Sequence, residues 1–379
     1  MNVNPIAWAA STLRLFTRID NDGVNAAVPV TEIKELPIGF PDMDIALVAK
    51  GTGATLAQVP DGTATGGNKR GIYATDWQKS RSINTYVASG NYSIVAGGQG
   101  NTASNTLATV GGGDSNIASG IRSTIAGGNG NTASSSNSFV GGGASNTAQT
   151  NTHATVCGGN GNTASGSNSF IGGGASHTAS GSTPTVCGGN TNTASGDAST
   201  VCGGRQNIAN SAQSFIGGGR RGTTRSIVGY HVFPACSVPV ADASGVSQSA
   251  LLLLGRQTTD ATATVLTSDT SAAAATNQVT LPNNSAYSFS GEVIAGVTGA
   301  GDSARWTING AIKRGANAAS TVMVGTPTVV MSHFDAGAAT WVVAVTADTT
   351  LGCITVTVTG AAATTIRWVC KINTTEMTY

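Results

Sequence analysis

The sequence has few charged side chains: Lys, Arg, Asp and Glu make up only 10% of its 379 residues, and the formal net charge is +1. Proteins that bind nucleic acids or anionic membranes usually carry a strong positive field, so we expect no nucleic-acid partner. No run approaches the roughly 18 apolar residues of a membrane-spanning helix. The start of the chain lacks the basic region of a secretion signal, and we expect no membrane insertion.

Motifs for metals, cofactors and nucleophilic catalysis are also missing. The six cysteines fit neither a CxxC metal spacing nor a compact disulfide framework, which favours reduced thiols. The glycine-rich stretches lack the lysine and the following helix of a phosphate-binding loop. No GxSxG or HExxH motif occurs. We therefore expect no cofactor and no metal site.

Carboxylates are scarce in the middle of the chain, and this bears on catalysis. Glycoside hydrolysis needs a pair of carboxylates, but residues 91–219 contain only Asp114 and Asp197 and no Glu. The acidic residues of the C-terminal part are scattered near predicted turns. The sequence therefore predicts that the protein is not an enzyme.

Glycine is abundant, with 52 residues, and most of it belongs to a repeat. Each copy is anchored on an aliphatic residue before a Gly-Gly pair, and the spacing is 15 residues with a single 16. Such regularity is typical of a solenoid in which each period is one coil. We place the extra residue, in AQTNTHA, in a turn because a slip inside a strand would exchange its two faces. The anchors are Val95, Val110, Ile125, Val140, Val156, Ile171, Val186, Val201 and Ile216.

Each copy predicts two short strands. Relative to the anchor, glycine occupies positions +2 and +3, alanine occupies +8, and asparagine occupies +6 in every complete copy except the one with His177. Fifteen residues leave no room for a helix, so we predict an all-β fold with a β-roll or β-solenoid. Stacked asparagines favour a hydrogen-bonded ladder, and a ligand-binding row is the alternative.

Position +1 is restricted to Ala, Gly or Cys in all nine copies. A solvent-exposed column would be expected to contain larger polar residues, so the strand is predicted to be buried on both faces. One narrow coil has only one interior, and the second face is therefore predicted to pack on another chain, most simply in a homotrimer. The predicted trimer-packing residues are Ala96, Gly111, Ala126, Gly141, Cys157, Gly172, Cys187, Cys202 and Gly217.

The C-terminal part alternates apolar and polar residues at period two, with turns every eight to twelve residues. This pattern predicts a β-sandwich of the jelly-roll kind. Trp306 and Trp341 fill the predicted core or form a sugar-stacking platform, and His333 and Asp335 in SHFDAG are candidates to contact a sugar or a metal. We take these four residues as the candidate ligand-binding set.

The chain is therefore divided into four predicted domains. Residues 1–80 form an attachment and lead-in segment, residues 81–228 the repeat shaft, residues 229–249 a neck, and residues 250–379 a C-terminal β-sandwich tip.

Three stretches carry a resemblance to a known family. GGNKRGIYATDWQKSRS, then VASGNYSIVAGGQGNTAS with its repeats, and the C-terminal ARWTINGAIKRG to IRWVCKINTTEMTY resemble bacteriophage tail fibre proteins, over roughly residues 45–379. The repeats alone are also similar to those of trimeric bacterial adhesin heads. An autotransporter adhesin, however, would need a signal peptide and a membrane barrel, and the sequence shows neither.

The resemblance implies a homotrimeric virion component of the tail, assembled in the host cytoplasm. Its N-terminus would dock on other virion proteins of the tail or baseplate. Its C-terminal tip would adhere to a host surface glycan or lipopolysaccharide. A capsid head fibre or decoration protein and a polysaccharide-cleaving tailspike are the alternatives.

Overall fold

The structure, a computed structural model, describes residues 53–299 and 301–379. These residues form an all-β fold with about 11 solenoid turns in total and further sheets at the C-terminus, which confirms the predicted fold class. Residues 1–52, most of the predicted attachment segment, lie outside the described residues. The first of two compact units ends at His153, and the second runs from Ala154 to Tyr379. Within the described ranges, no helix is long and apolar enough to cross a membrane.

The described coils of the first unit are built from two-residue strands in two parallel sheets. One sheet has the order β1-β2-β3-β5-β7-β9, and the other pairs β4-β6-β8-β10. The strands are β1 (Thr55–Leu56), β2 (Thr75–Asp76), β3 (Ile94–Val95), β4 (Thr102–Ala103), β5 (Thr109–Val110), β6 (Ile117–Ala118), β7 (Thr124–Ile125), β8 (Thr132–Ala133), β9 (Phe139–Val140) and β10 (Thr147–Ala148).

The coils of the second unit repeat this arrangement, with β11-β13-β15-β17-β19 in one parallel sheet and β12-β14-β16-β18 in the other. Isolated parallel bridges, such as Asn190 with Arg205, join the coils on a third side. The strands are β11 (Thr155–Val156), β12 (Thr163–Ala164), β13 (Phe170–Ile171), β14 (Thr178–Ala179), β15 (Thr185–Val186), β16 (Thr193–Ala194), β17 (Thr200–Val201), β18 (Ile208–Ala209) and β19 (Phe215–Ile216).

The interior of each coil is filled by the anchor residue and by the alanine at +8, all of which are fully buried. Side chains alternate between the two faces of a strand, so one residue of each two-residue strand points inward and the other points outward. The extra residue of the 16-residue spacing lies in the turn formed by residues 149–153, as predicted.

The two glycines of the pair Gly203–Gly204 have different roles. Gly204, the second of its pair, has φ +80°, and a Cβ there would lie 2.0 Å from the Gly219 carbonyl oxygen of the next coil. A Cβ at Gly203, the first of the pair, would have no neighbouring atom within 4 Å. Only the second glycine is therefore required both by its left-handed backbone and by the close approach of the next coil.

The asparagine at +6 connects successive coils as the predicted ladder. The Oδ1 atom of Asn101 accepts the backbone N–H of Asn116 at 3.0 Å. The Nδ2 atom of Asn116 donates to the carbonyl oxygens of Gly112 in its own coil (3.0 Å) and Gly128 in the next coil (2.9 Å). Asn116 is fully buried, so these bonds satisfy a side chain that would otherwise cost folding free energy.

His177 occupies one step of this ladder and fits it incompletely. Its Nδ1 accepts the backbone N–H of Asn192 at 3.0 Å, as an asparagine oxygen does, but its buried Nε2 has no hydrogen-bond partner. The bond from Ala175 N to Gly189 O beside it is 3.2 Å, whereas the equivalent bond from Asn190 N is 2.9 Å. Burial lowers the pKa of His177 below its usual value of 6.5.

Replacing His177 with asparagine is expected to stabilise the protein and to reduce its sensitivity to acid. Since the pKa of His177 is lower in the folded chain, the unfolded chain binds a proton at this histidine first as the pH falls below about 6.5. The folded chain is therefore destabilised progressively until the pH reaches the folded pKa. Urea unfolding of the wild type and the variant at pH 7.5 and pH 5.5 measures this. A difference between the two proteins that does not grow at pH 5.5 would contradict the assignment.

The first described coils contain a buried ion cluster. Asp76 pairs in register with the anchor Val95, so a carboxylate takes the interior position that Val or Ile fills elsewhere. It is fully buried, and its Oδ2 lies 2.8 Å from Arg70 Nε and 3.7 Å from Arg81 Nη2. Gln78 Oε1 accepts the N–H of Asn101 at 2.8 Å. Gln78 thus takes the place of a ladder asparagine in the coil before Asn101.

Beyond the coils, the second unit forms two sheets. The larger continues from β19 through β20, β21, β30, β24 and β25 to β26 and β27, and the smaller contains β22, β23, β28 and β29. The elements are β20 (His231–Pro234), β21 (Ser247–Thr258), β22 (Thr264–Val265), β23 (Val279–Thr280), β24 (Ser285–Val297), β25 (Ser303–Arg314), β26 (Val322–Met323), β27 (Thr328–Phe334), β28 (Val342–Asp348), β29 (Cys353–Thr359) and β30 (Ile366–Thr378), with 3₁₀ turns at Ala318–Ser320 and Ala336–Ala338.

A buried polar network joins the last coil to the larger sheet. Glu376 on β30 is 2% exposed. Its Oε2 accepts bonds from Arg225 Nε (3.1 Å) and Gln248 Nε2 (2.8 Å), and its Oε1 accepts bonds from the hydroxyls of Tyr230 and Thr374. Burial and the nearby carboxylate raise the pKa of Tyr230 well above its usual value, so its phenol remains a neutral donor.

Candidate functional site

A groove of about 600 Å³ lies at the edge of the larger sheet, where β24, β25 and β27 meet. Its apolar walls are Ile294 and Phe334, which are 52% and 53% exposed, and polar side chains surround them. A half-exposed aromatic ring beside several donors and acceptors is typical of a site that orients a small polar ligand. The groove is lined by Ile294, Ser303, Ala304, Arg305, Ser332, His333, Phe334 and Asp335.

Arg305 is the principal charged group of the groove and is held from two sides. Its Nη2 lies 2.6 Å from Glu292 Oε1, and its Nη1 donates to Ser332 Oγ at 3.3 Å. Hydrogen bonding and charge from Arg305, together with the charge of Lys371 at 3.9 Å, lower the pKa of Glu292. The guanidinium is thus oriented while remaining part-exposed, with planar donors suited to hydroxyl or carboxylate oxygens.

The structure places the predicted residues His333 and Asp335 in this same groove. The His333 Nδ1 is 3.3 Å from Ser332 Oγ. The Asp335 carboxylate accepts the Ser303 N–H at 2.9 Å and its hydroxyl at 3.0 Å. Asp335 therefore links the start of β25 to the end of β27 by hydrogen bonds, and Asp335 itself is exposed to solvent.

The two predicted tryptophans lie elsewhere. Trp306 and Trp341 are each 3% exposed, and their rings pack 5.6 Å and 5.7 Å from the ring of Trp368 between centroids. Trp368 in turn donates to Thr258 Oγ1 at 2.9 Å. These rings fill the core between the two sheets and offer no open face to a sugar in this structure.

The column predicted to pack between chains lies on the outward face of the coil sheet. Its residues are exposed or half-buried, while the anchors beside them are fully buried. Within one chain, the strand is therefore buried on only one side, and whether a second chain covers the other side remains a prediction. The column contains Ala96, Gly111, Ala126, Gly141, Cys157, Gly172, Cys187, Cys202 and Gly217.

All six cysteines are free thiols in this structure. Cys187 and Cys202 occupy equivalent positions in successive coils. Burial, followed by the neighbouring Cys187 thiol, raises the pKa of Cys202. Burial also raises the pKa of Cys353 to about 11 and that of Cys370 to about 12, so these two thiols are inert core groups. Over residues 53–299 and 301–379, no three His, Cys, Asp or Glu side chains cluster as metal ligands.

Sequence reasoning missed Arg305, Ile294 and Phe334. A period-two signal was available for two of them: Arg305 precedes the buried Trp306, and Ile294 lies between the buried Val293 and Ala295, so both must point outward. The pattern could not show that β25 would pair with both β24 and β27 and so bring these side chains together.

Comparisons with known proteins find a likeness to a solved structure. No family model and no curated protein matches the chain. It is similar to the crystal structure of a tailspike protein, gp49 of Acinetobacter baumannii bacteriophage Fri1, a capsular polysaccharide depolymerase. The match has 7% sequence identity and a TM-score of 0.21, and it covers 82% of this chain and 69% of that chain.

This comparison contradicts the prediction that the chain is not an enzyme, because the matched tailspike is a depolymerase. That prediction depended on the shortage of carboxylates in residues 91–219. It also treated the carboxylates of the C-terminal part as scattered near predicted turns, whereas the structure places Asp335 in the groove and Glu292 beside it, paired with Arg305. The prediction that the chain is not an enzyme is therefore withdrawn.

Proposed function

We propose that the chain is a bacteriophage tail protein, of the tail fibre or tailspike class, that binds host surface polysaccharide. The observation that supports this most directly is the groove on the C-terminal sheet. Phe334 offers an apolar surface to the C–H face of a sugar ring. Arg305, His333 and Asp335 offer donors and acceptors to its hydroxyl groups.

The proposed arrangement follows the order of the chain. Residues 1–80 attach the protein to other virion proteins of the tail or baseplate, residues 81–228 act as the shaft, residues 229–249 as the neck, and residues 250–379 as the tip. The repeat and the tail-fibre resemblance support this order. We further propose a homotrimer, because the small-residue column is open to solvent in a single chain.

Three grooves on one assembly would bind a repetitive surface more tightly than one groove. A polysaccharide presents the same sugar unit many times, so the second and third binding events take place at a high effective concentration. Moderate affinity at each groove is then sufficient for adhesion.

Binding of the full-length protein to host cells and to their isolated surface polysaccharide tests the proposal. Arg305→Ala and Phe334→Ala are each expected to weaken binding about tenfold or more, which corresponds to about 1.4 kcal/mol. Val342→Ala is the matched control, because Val342 is 50% exposed on the smaller sheet and does not line the groove. Unchanged binding by both groove variants would refute the site. Release of reducing ends in the same incubation measures cleavage.

A further inference from the structure

The larger C-terminal sheet has an unusually apolar outer face. The large apolar side chains on this face include six that are 40–55% exposed, whereas the described strands of the smaller sheet have a comparably exposed residue in Val342. An exposed apolar surface of this extent is typical of an interaction site. The six residues are Phe233, Leu253, Ile294, Val330, Val369 and Met377.

Strand register makes part of this surface contiguous. Val369 on β30 lies directly opposite Ile294 on β24. Leu253 on β21 pairs with Lys371, two residues along β30, and is therefore a diagonal neighbour of Val369. Adjacent strands are about 4.8 Å apart, so these side chains can contact one another across three strands.

The same face continues into the coils of the second unit. Phe215 pairs in register with His231, and His231 pairs with Leu251. The rings of Phe215 and Phe233 pack with a centroid distance of 6.3 Å. The outward column of the coils and the outer face of the larger sheet are therefore one continuous hydrogen-bonded surface.

The repeat indicates what covers this surface. Along the coils, the outward positions recur once per coil, about every 4.8 Å, with Thr or Phe beside Ala, Gly or Cys. A partner that fits such a surface must repeat with the same spacing, and another copy of this chain does so. On this face Glu292 is already paired with Arg305 and Lys371 within one chain, so its carboxylate is not left unpaired when a second copy packs there.

The groove lies at the border of this face, because Ile294 belongs to both. We propose that a neighbouring copy of the chain packs on the outer face of the larger sheet and closes the open side of the groove. The receptor site then lies between two subunits. The ligand in this inference, a polysaccharide, rests on the proposed function. The interface between two copies does not depend on it.

Hydroxyl-radical footprinting of the native full-length protein tests the interface. Val369 and Val342 are 47% and 50% exposed in one chain and have the same chemistry. If a second copy covers the larger sheet, Val369 is expected to be modified several-fold less than Val342. Equal modification of the two valines would overturn the proposal.

The contribution of the neighbouring copy to binding is tested by Val369→Asp, with Val342→Asp as its control. Val369 does not line the groove. If binding requires the packed neighbour, Val369→Asp weakens polysaccharide binding about tenfold or more while Val342→Asp leaves it unchanged. Full binding by Val369→Asp would overturn the shared site. Circular dichroism checks that both variants fold. A wild-type protein that binds no polysaccharide would refute the proposed function, and the footprint would still decide the interface.

Discussion

Replacing Glu376 with alanine is expected to lower the free energy of unfolding of the C-terminal region by about 3–5 kcal/mol. The substitution removes the carboxylate that neutralises Arg225, whose side chain is 11% exposed. It also leaves Gln248 Nε2 and the buried Tyr230 hydroxyl without their shared acceptor. An uncompensated buried charge is far more costly than the loss of one neutral hydrogen bond. Urea unfolding monitored by circular dichroism measures the change.

Two comparisons make this prediction specific to the network. Glu292→Ala breaks an Arg–Glu ion pair of 2.6 Å in the same region, but both side chains are substantially exposed, so the expected loss is much smaller. Glu376→Gln keeps an acceptor and is expected to fall between the two. Equal losses for the two alanine variants would mean that burial of the Glu376 network does not stabilise the junction.

Replacing Asp76 with alanine is expected to destabilise the first described coils by a similar amount, about 3–5 kcal/mol. The guanidinium groups of Arg70 and Arg81 are almost completely buried and converge on this carboxylate. Without it, two like charges remain together inside the coil. Hydrogen exchange of the amides of residues 70–95 measures the local opening, and the coil around Ile125 serves as an internal reference.

A charge-free interior tests the physical cause. Replacing Asp76 with valine together with Arg70→Met and Arg81→Met removes all three charges and restores the aliphatic residue found at this position in later coils. Well-packed apolar groups often replace a buried ion cluster without loss of stability, so the triple variant is expected to recover most of the protection from exchange. If it is as unprotected as Asp76→Ala, the charges are not the reason for the loss.

The coil architecture could be predicted from sequence because the repeat constrains it many times. The aliphatic anchor, the second glycine and the asparagine each recur once per coil, and each has a contact to the next coil that explains it. The Asp76 cluster could not be predicted in this way. Its coil departs from the repeat. Arg70 and Arg81 reach Asp76 only in the strand register that the fold adopts, and the sequence pattern does not show that register.

The candidate site was predicted in part. His333 and Asp335 in SHFDAG were candidates to contact a sugar or a metal, and both line the groove. Trp306 and Trp341 had two interpretations, core or platform, and their burial depends on which face of each strand meets the smaller sheet. Arg305 and Phe334 lie at the same groove because β25 pairs antiparallel with β27. This pairing is long-range, and the local alternation of apolar and polar residues does not predict it.

The mass of the native full-length protein decides whether the outward small-residue column packs against other copies of the chain. Sedimentation equilibrium at neutral pH is expected to give the mass of three 37.5 kDa chains, and the mass should be insensitive to reductant because the cysteines are free thiols. A stable monomer under these conditions would rule out this packing, since the column from Ala96 to Gly217 would then face water.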